Sequence, residues 1–138
     1  MSDDQMETAI LRALELVPAA NTALNDLDHR FDSRERWRVH EFCGRLDAGK
    51  IFEDRDIYDL EDLLAPIQAE IELGWMTHWV HDENHAAGGW SETILLPAAA
   101  ELEAKTRPLS LLRDALVLVR NLRRTEDVLI KMLEQRHR

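Results

Sequence analysis

The sequence predicts an all-α protein in which residues 1–138 form one domain, built as an irregular bundle of five or six helices. Leu and Ala supply 36 of the 138 residues, whereas Gly, Pro and Tyr supply only 5, 4 and 1. That balance favours helix over sheet. Hydrophobic residues make up 45% and charged residues 32% of the chain, which is an ordinary globular composition. A chain of this length is expected to fold without a disulfide or a structural metal.

The first helix is predicted over residues 6–27, where apolar side chains recur at alternating intervals of four and three. Pro18 lies inside this repeat and is expected to kink or break the helix near Val17. The positions that define the repeat are Met6, Ile10, Ala13, Val17, Ala20, Leu24 and Leu27.

The second helix is expected to begin at Asp32, because Asp32 and Glu35 form a D-x-x-E start signal. It is predicted to run to about Asp47, with Gly49 as its stop. Its buried face is expected to consist of Val39, Phe42, Cys43 and Leu46.

Prolines and glycines set the remaining boundaries. Asp56 and Asp59 can cap a third helical segment, and Pro66 either kinks this helix or opens a new one as its first-turn residue. A helix is then predicted from Ile67 to about Ala87, ended by Gly88-Gly89, and a shorter one over Ser91–Ala104, interrupted at Pro97. Thr106 and Pro108 are expected to start a long final helix.

Charge is distributed unevenly along the chain. Residues 1–55 hold 12 acidic and 8 basic residues, residues 56–104 hold 11 acidic residues and no Lys or Arg, and residues 105–138 hold 4 acidic and 9 basic residues. One interpretation is that the basic final helix packs beside the acidic middle and partly neutralises it. The other is that part of the acidic surface stays open and recruits a basic partner.

Several functional classes are not expected from this composition. The net charge of −10 argues against direct nucleic-acid binding, although the final helix carries seven basic residues after Pro108. The longest apolar runs, Ile94–Ala100 and Ala115–Val119, are too short for a membrane span. An acidic start without a signal-peptide pattern, together with a single cysteine, predicts a cytoplasmic location.

The run from Trp75 to His85 holds three histidines. At about 100° per residue, a helix here would place His78, Asp82 and His85 on the face that begins at Ile67. Such side chains can bind a first-row divalent metal or act as an acid–base pair. The alternative interpretation is that they are hydrogen-bonded or solvent-facing groups near a helix end.

The same helix would carry a second apolar face, formed by Ala69, Leu73, Met76 and Val80. A helix that is apolar on two sides is either central in its bundle or buries one side against another chain. The second case predicts a homodimer.

The leading hypothesis is a non-enzymatic acidic protein that binds a basic protein partner, as an inhibitor, immunity factor or adaptor, without a cofactor. Carboxylates would steer the partner and tryptophans would supply contact energy. The expected contact residues are Asp59, Asp62, Glu70, Glu72, Trp75, Trp79 and Trp90. The alternative hypothesis is a metal-binding helical bundle, with or without enzymatic activity, that uses His78, Asp82 and His85.

Overall fold

The computed structural model describes residues 3–48 and 54–136, without the side chains of Asp3 and Leu46. The protein is mostly helical, as predicted. The count of five or six helices is not confirmed, because the described residues form four α-helices, one 3-10 helix and two strands. In chain order these are α1 (Asp3–Asp26), a 3-10 helix (Asp28–Arg30), α2 (Ser33–Asp47), α3 (Asp54–Leu73), β1 (Trp75–His81), β2 (Gly89–Leu95) and α4 (Pro97–Arg136).

The core lies where α4 packs against α1 and α3. Helix α2 also packs against both α1 and α3. Both α1 and α3 run antiparallel to α4. The start of α1 shares a groove with Leu118 and Leu122 of α4, and Leu27, just after its end, shares one with Leu102. The fully buried side chains at the centre include Val17, Leu24, Leu60, Leu64, Leu109, Leu112 and Leu116.

The structure confirms the D-x-x-E start signal at the beginning of α2. The backbone N–H of Glu35 donates to Oδ1 of Asp32 at 2.8 Å, and the N–H of Asp32 lies 3.5 Å from Oε1 of Glu35. The predicted buried face is present at Val39, Phe42 and Cys43. The side chain of Leu46 and the expected stop at Gly49 lie outside the described part of the chain.

Three prolines lie inside helices rather than between them. Pro18, Pro66 and Pro108 are interior residues of α1, α3 and α4. Proline removes one helical hydrogen bond, but the leucines, isoleucines and valines on either side of these positions bury one continuous face. Of the kink or break expected near Val17, the break does not occur. The separate start of the final helix at Pro108 is wrong, and Pro66 does not open a new helix.

The helix predicted from Ile67 to Ala87 is wrong beyond Leu73. There α3 ends, and the chain instead forms two antiparallel strands, β1 and β2. The predicted helix over Ser91–Ala104 is also wrong in its first part, because α4 begins only at Pro97, a favoured first residue of a helix. Aromatic and β-branched residues are frequent in the strand segments and favour extended backbone.

Among residues 3–48 and 54–136, no helix combines the length and apolar character that crossing a bilayer requires.

Candidate functional site

The two strands form a hairpin (residues 75–95). Its base, where β1 begins and β2 ends, lies next to the helical bundle. Pairing is one-to-one from Trp75 opposite Leu95 to His81 opposite Gly89. The N–H of Leu96 donates to the carbonyl of Gly74 at 2.9 Å. The backbone at Gly74 lies so close to Ala99, in the first turn of α4, that a Cβ at position 74 would collide with it. Glycine at this position therefore allows the base of the hairpin to pack against α4.

One face of the hairpin, here the tryptophan face, consists of Trp75, Thr77, Trp79, His81, Gly89, Ser91, Thr93 and Leu95, because side chains alternate between the two sides of a strand. All of them except Gly89 and Leu95 are exposed, and Trp75 and Trp79 keep 48% and 47% of their surface in solvent. The hydroxyl oxygens of Thr77 and Thr93 lie 3.2 Å apart across the strands. Within the described part of the chain, this face therefore presents two large aromatic rings that remain about half exposed.

The opposite face, here the mixed face, consists of Met76, His78, Val80, Trp90, Glu92 and Ile94. The indole N–H of Trp90 donates to Oε1 of Glu92 at 2.9 Å, and Oε2 of Glu92 lies 3.9 Å from Nε2 of His78. The ring of His85 packs against Trp90 with centroids 5.7 Å apart. Trp90 is thus held in place while 38% of its surface remains exposed.

The helical face on which the metal hypothesis rested is not formed. His78 lies on β1, the carboxylate of Asp82 accepts the N–H of Asn84, and Nδ1 of His85 accepts the N–H of Ala87. Within the part of the chain that the structure describes, no group of three or more His, Cys, Asp and Glu side chains is arranged to hold a metal ion. The three predicted ligands are parts of a strand and a turn.

Arginines that precede α3 pair with part of the acidic middle. Arg30 lies 2.6 Å from Glu70, Arg38 lies 3.7 Å from Asp59, and Arg45 binds the buried carboxylate of Asp56 at 2.9 Å. These arginines come from the 3-10 helix and α2. The final helix contributes local pairs, from Lys105 to Glu101 and from Arg107 to Glu103, and one ion pair to the start of α3, from Arg124 to Asp54 at 2.8 Å.

Other predicted contact residues are open to solvent. Asp62 and Glu72 are exposed, and neither makes an ion pair with a described Lys or Arg. The hairpin adds three carboxylates of its own, from Asp82, Glu83 and Glu92, and holds no Lys or Arg. The structure therefore brings Glu72, just before β1, into the same part of the molecule as the three tryptophans, whereas Asp59 and Glu70 are tied to arginines.

The sequence did not single out Ile94, and it placed Met76 on the second apolar face of a helix, whereas the two are exposed cross-strand partners on the mixed face. A strand signal was available over 75–81, since the strand-favouring residues Trp75, Thr77 and Trp79 recur there at an interval of two. The glycine pair at 88–89 was a hairpin signal as much as a helix stop.

A second exposed apolar surface lies at the end of α4, where Val128, Leu129, Ile130, Met132 and Leu133 all face solvent. Nearer the bundle, Leu118 and Leu122 line a groove of about 450 Å³ with residues of α1. This region carries charges of both signs, including Lys131 and Glu134, so charge does not select a partner for it.

No protein-family model, curated protein or solved structure matches this chain.

Proposed function

We propose that this protein is a non-enzymatic acidic binding protein, and that the hairpin is the surface with which it binds a basic protein partner. The observation that carries the proposal is the hairpin itself: its strands are almost entirely exposed, and it presents three tryptophans and three carboxylates without a single Lys or Arg. Inhibitor, immunity factor and adaptor are the roles that suit such a surface. The cytoplasmic location predicted from the sequence suits a chain whose one cysteine, Cys43, is buried.

The chemistry of the two faces supports a partner rich in Arg or Lys. A guanidinium or ammonium group stacks favourably on an indole ring, and Trp75 and Trp79 offer such rings on the tryptophan face. On the mixed face and at the turn, Glu92, Asp82 and Glu83 supply carboxylates for charge-assisted hydrogen bonds. Each exposed ion pair contributes little affinity, but together they accelerate encounter.

The first test measures binding of a labelled 12-residue peptide of alternating Arg and Ser by fluorescence anisotropy. The triple variant Asp82→Asn, Glu83→Gln, Glu92→Gln should weaken binding at least about tenfold at low salt, because it removes the carboxylates nearest the tryptophans. The matched control removes three exposed carboxylates elsewhere, by changing Glu7, Glu15 and Glu134 to Gln, and should weaken binding far less.

The second test separates the tryptophans from the charges. Trp79→Ala should speed dissociation of the peptide, whereas Trp37→Ala, which removes a tryptophan of α2 that is 66% exposed, should leave it unchanged. The association rate of the wild-type protein should fall steeply as salt rises to physiological strength. Equal losses in the two charge variants, or equally tight binding of a Glu-Ser peptide, would show that the hairpin is not the binding surface.

A further inference from the structure

We infer that the free edge of β1 pairs with the β1 edge of a second copy of this chain, so that two hairpins join into one four-stranded antiparallel sheet. This inference concerns the backbone of β1 and is independent of the partner proposed above, which would contact the side chains of the two faces.

The edge of β1 lacks the usual protection against pairing. Exposed edge strands in soluble proteins are normally interrupted by Pro, a bulge or an inward-pointing Lys. The sequence of β1, WMTHWVH, contains neither Pro nor Lys, and its pairing with β2 proceeds without a bulge through seven consecutive residues. A two-stranded sheet of this kind is only marginally stable alone, so a further strand stabilises it.

The hydrogen bonds of the hairpin show which backbone groups point outward. Asp82 bonds to Gly88 and Leu96 bonds to Gly74, which places the hydrogen-bonded pairs at the even-numbered residues of both strands. The N–H and C=O groups of Trp75, Thr77, Trp79 and His81 therefore point away from β2. These groups have no strand partner among the described residues.

A two-fold axis at His78 satisfies all of these outward groups at once. In that register Trp75 opposes the partner's His81 and Thr77 opposes the partner's Trp79, each as a hydrogen-bonded pair. Shifting the register by two residues in either direction leaves one outward residue of each strand unpaired. Antiparallel pairing of identical strands is the isologous geometry that closes as a dimer.

Charge selects β1 over β2 as the paired edge. Residues 75–81 contain no Asp, Glu, Lys or Arg, so the titratable side chains that two paired β1 strands bring together are histidines alone. In the corresponding register of β2, the axis would pass through Glu92 and place two carboxylates directly opposite each other, which is unfavourable. Each chain has a net charge of −10, but the carboxylates of the hairpin lie on β2 and at the turn, away from the β1 edge.

Matched proline variants test the edge. Thr77 and Thr93 are cross-strand partners, and both have N–H groups that point outward, so Pro at either position leaves the bonds between β1 and β2 intact. Sedimentation over a range of concentrations should show a dimer for the wild-type protein and for Thr93→Pro. Thr77→Pro should raise the dimer dissociation constant at least about tenfold, because it removes a donor from each copy.

Cysteine cross-linking tests the register and does not require a proline to be tolerated. Cα atoms of a non-hydrogen-bonded antiparallel pair lie about 4.5 Å apart, within the range that a disulfide spans. His78→Cys should therefore form a disulfide-linked dimer under mild oxidation. Met76→Cys, on the same strand and face, would oppose Val80 of the partner subunit and should cross-link much more slowly. Cys43 is 1% exposed, so the native thiol adds no background.

The outcomes are decisive in both directions. A dimer that Thr77→Pro weakens and Thr93→Pro does not, cross-linked through position 78, supports the inference. A monomer at all concentrations overturns it, as does a dimer lost with Thr93→Pro, a dimer unaffected by either proline, or cross-linking of Met76→Cys as fast as that of His78→Cys. Binding of the Arg-Ser peptide by a strictly monomeric protein would leave the proposed function intact while the inference failed.

Discussion

The side chain of each of Asp32 and Glu35 contacts the backbone N–H of the other at the start of α2. Because these contacts involve carboxylates, the stability of α2 is expected to depend on pH. The hydrogen bond from the backbone N–H of Glu35 lowers the pKa of Asp32 from its ordinary value of 3.8. Burial acts in the opposite direction on Glu35 and raises the pKa of that carboxyl. The cap is thus formed by an ionised Asp32.

We predict that Asp32→Ala lowers the free energy of unfolding at neutral pH, because it removes the side-chain cap at the start of α2. Because the pKa of Asp32 is lower in the folded than in the unfolded protein, its contribution is present above pH 3.8 and is lost as the pH falls through the folded pKa. Urea unfolding at neutral pH and near pH 3 should therefore show a smaller difference between variant and wild type in acid.

Asp62→Ala is the control for this measurement, since Asp62 is exposed on α3 and makes no ion pair with a described Lys or Arg. It should change stability by less than about 0.5 kcal/mol at either pH. A loss for Asp32→Ala that is the same at both pH values would contradict the role of the charged carboxylate.

At the scale of an element, the turn of the hairpin depends on two glycines. Gly88 and Gly89 adopt φ values of +79° and +146°, which other residues rarely adopt. A Cβ at Gly89 would also collide with the carbonyl oxygen of Val80. The end of the hairpin therefore tolerates only glycine at position 89, whereas the base is held by α4.

We predict that Gly89→Ala unpairs the turn end of the hairpin and leaves the helical bundle intact. Tryptophan emission should shift to the red as Trp79 and Trp90 lose their neighbours, while the helical signal in far-ultraviolet circular dichroism stays constant. Gly44→Ala is the opposite control, because Gly44 lies in α2 with open space around it. That variant should gain about 0.5–1 kcal/mol in stability. A loss of helical signal in Gly89→Ala would show that hairpin and bundle fold as one unit.

At the scale of the whole molecule, α4 has two parts with different roles. Its residues from Leu102 to Val119 supply core side chains, whereas every residue from Arg124 to Arg136 is exposed. An isolated helical segment of that length is marginally stable in water. Stability should therefore depend on the first part of α4 and hardly on its end.

We predict that Leu116→Ala lowers the free energy of unfolding by about 2–5 kcal/mol, because Leu116 is 1% exposed in the core. Leu133→Ala, the same substitution on the same helix, should change it by less than about 0.5 kcal/mol. Urea denaturation of both variants measures the difference. A large loss for Leu133→Ala would mean that the end of α4 is packed in solution.

Local patterns determined much of the helical part. The cap at Asp32, the buried face of α2 and the spacing of apolar residues in α1 depend on side chains within one or two helical turns, so the sequence alone predicted them. The candidate site was predicted only in its composition: its tryptophans and the absence of Lys and Arg were visible, but their placement on two faces of a hairpin was not.

Tertiary structure decided what local patterns left ambiguous. The segment after Leu73 fits an amphipathic helix and a strand equally well, and cross-strand pairing of residues 8–20 positions apart determines which one forms. Whether Pro108 begins α4 or lies inside it depends on core contacts with α1 and α3. Arg30, Arg38 and Arg45 form ion pairs with acidic residues of α3, and they reach that helix only in the folded bundle. These ion pairs help to decide which acidic residues of α3 remain without a basic partner among the described residues. The physical reason is common to all three: hydrogen bonds, burial and ion pairs between distant residues exceed the small local preferences that a sequence pattern records.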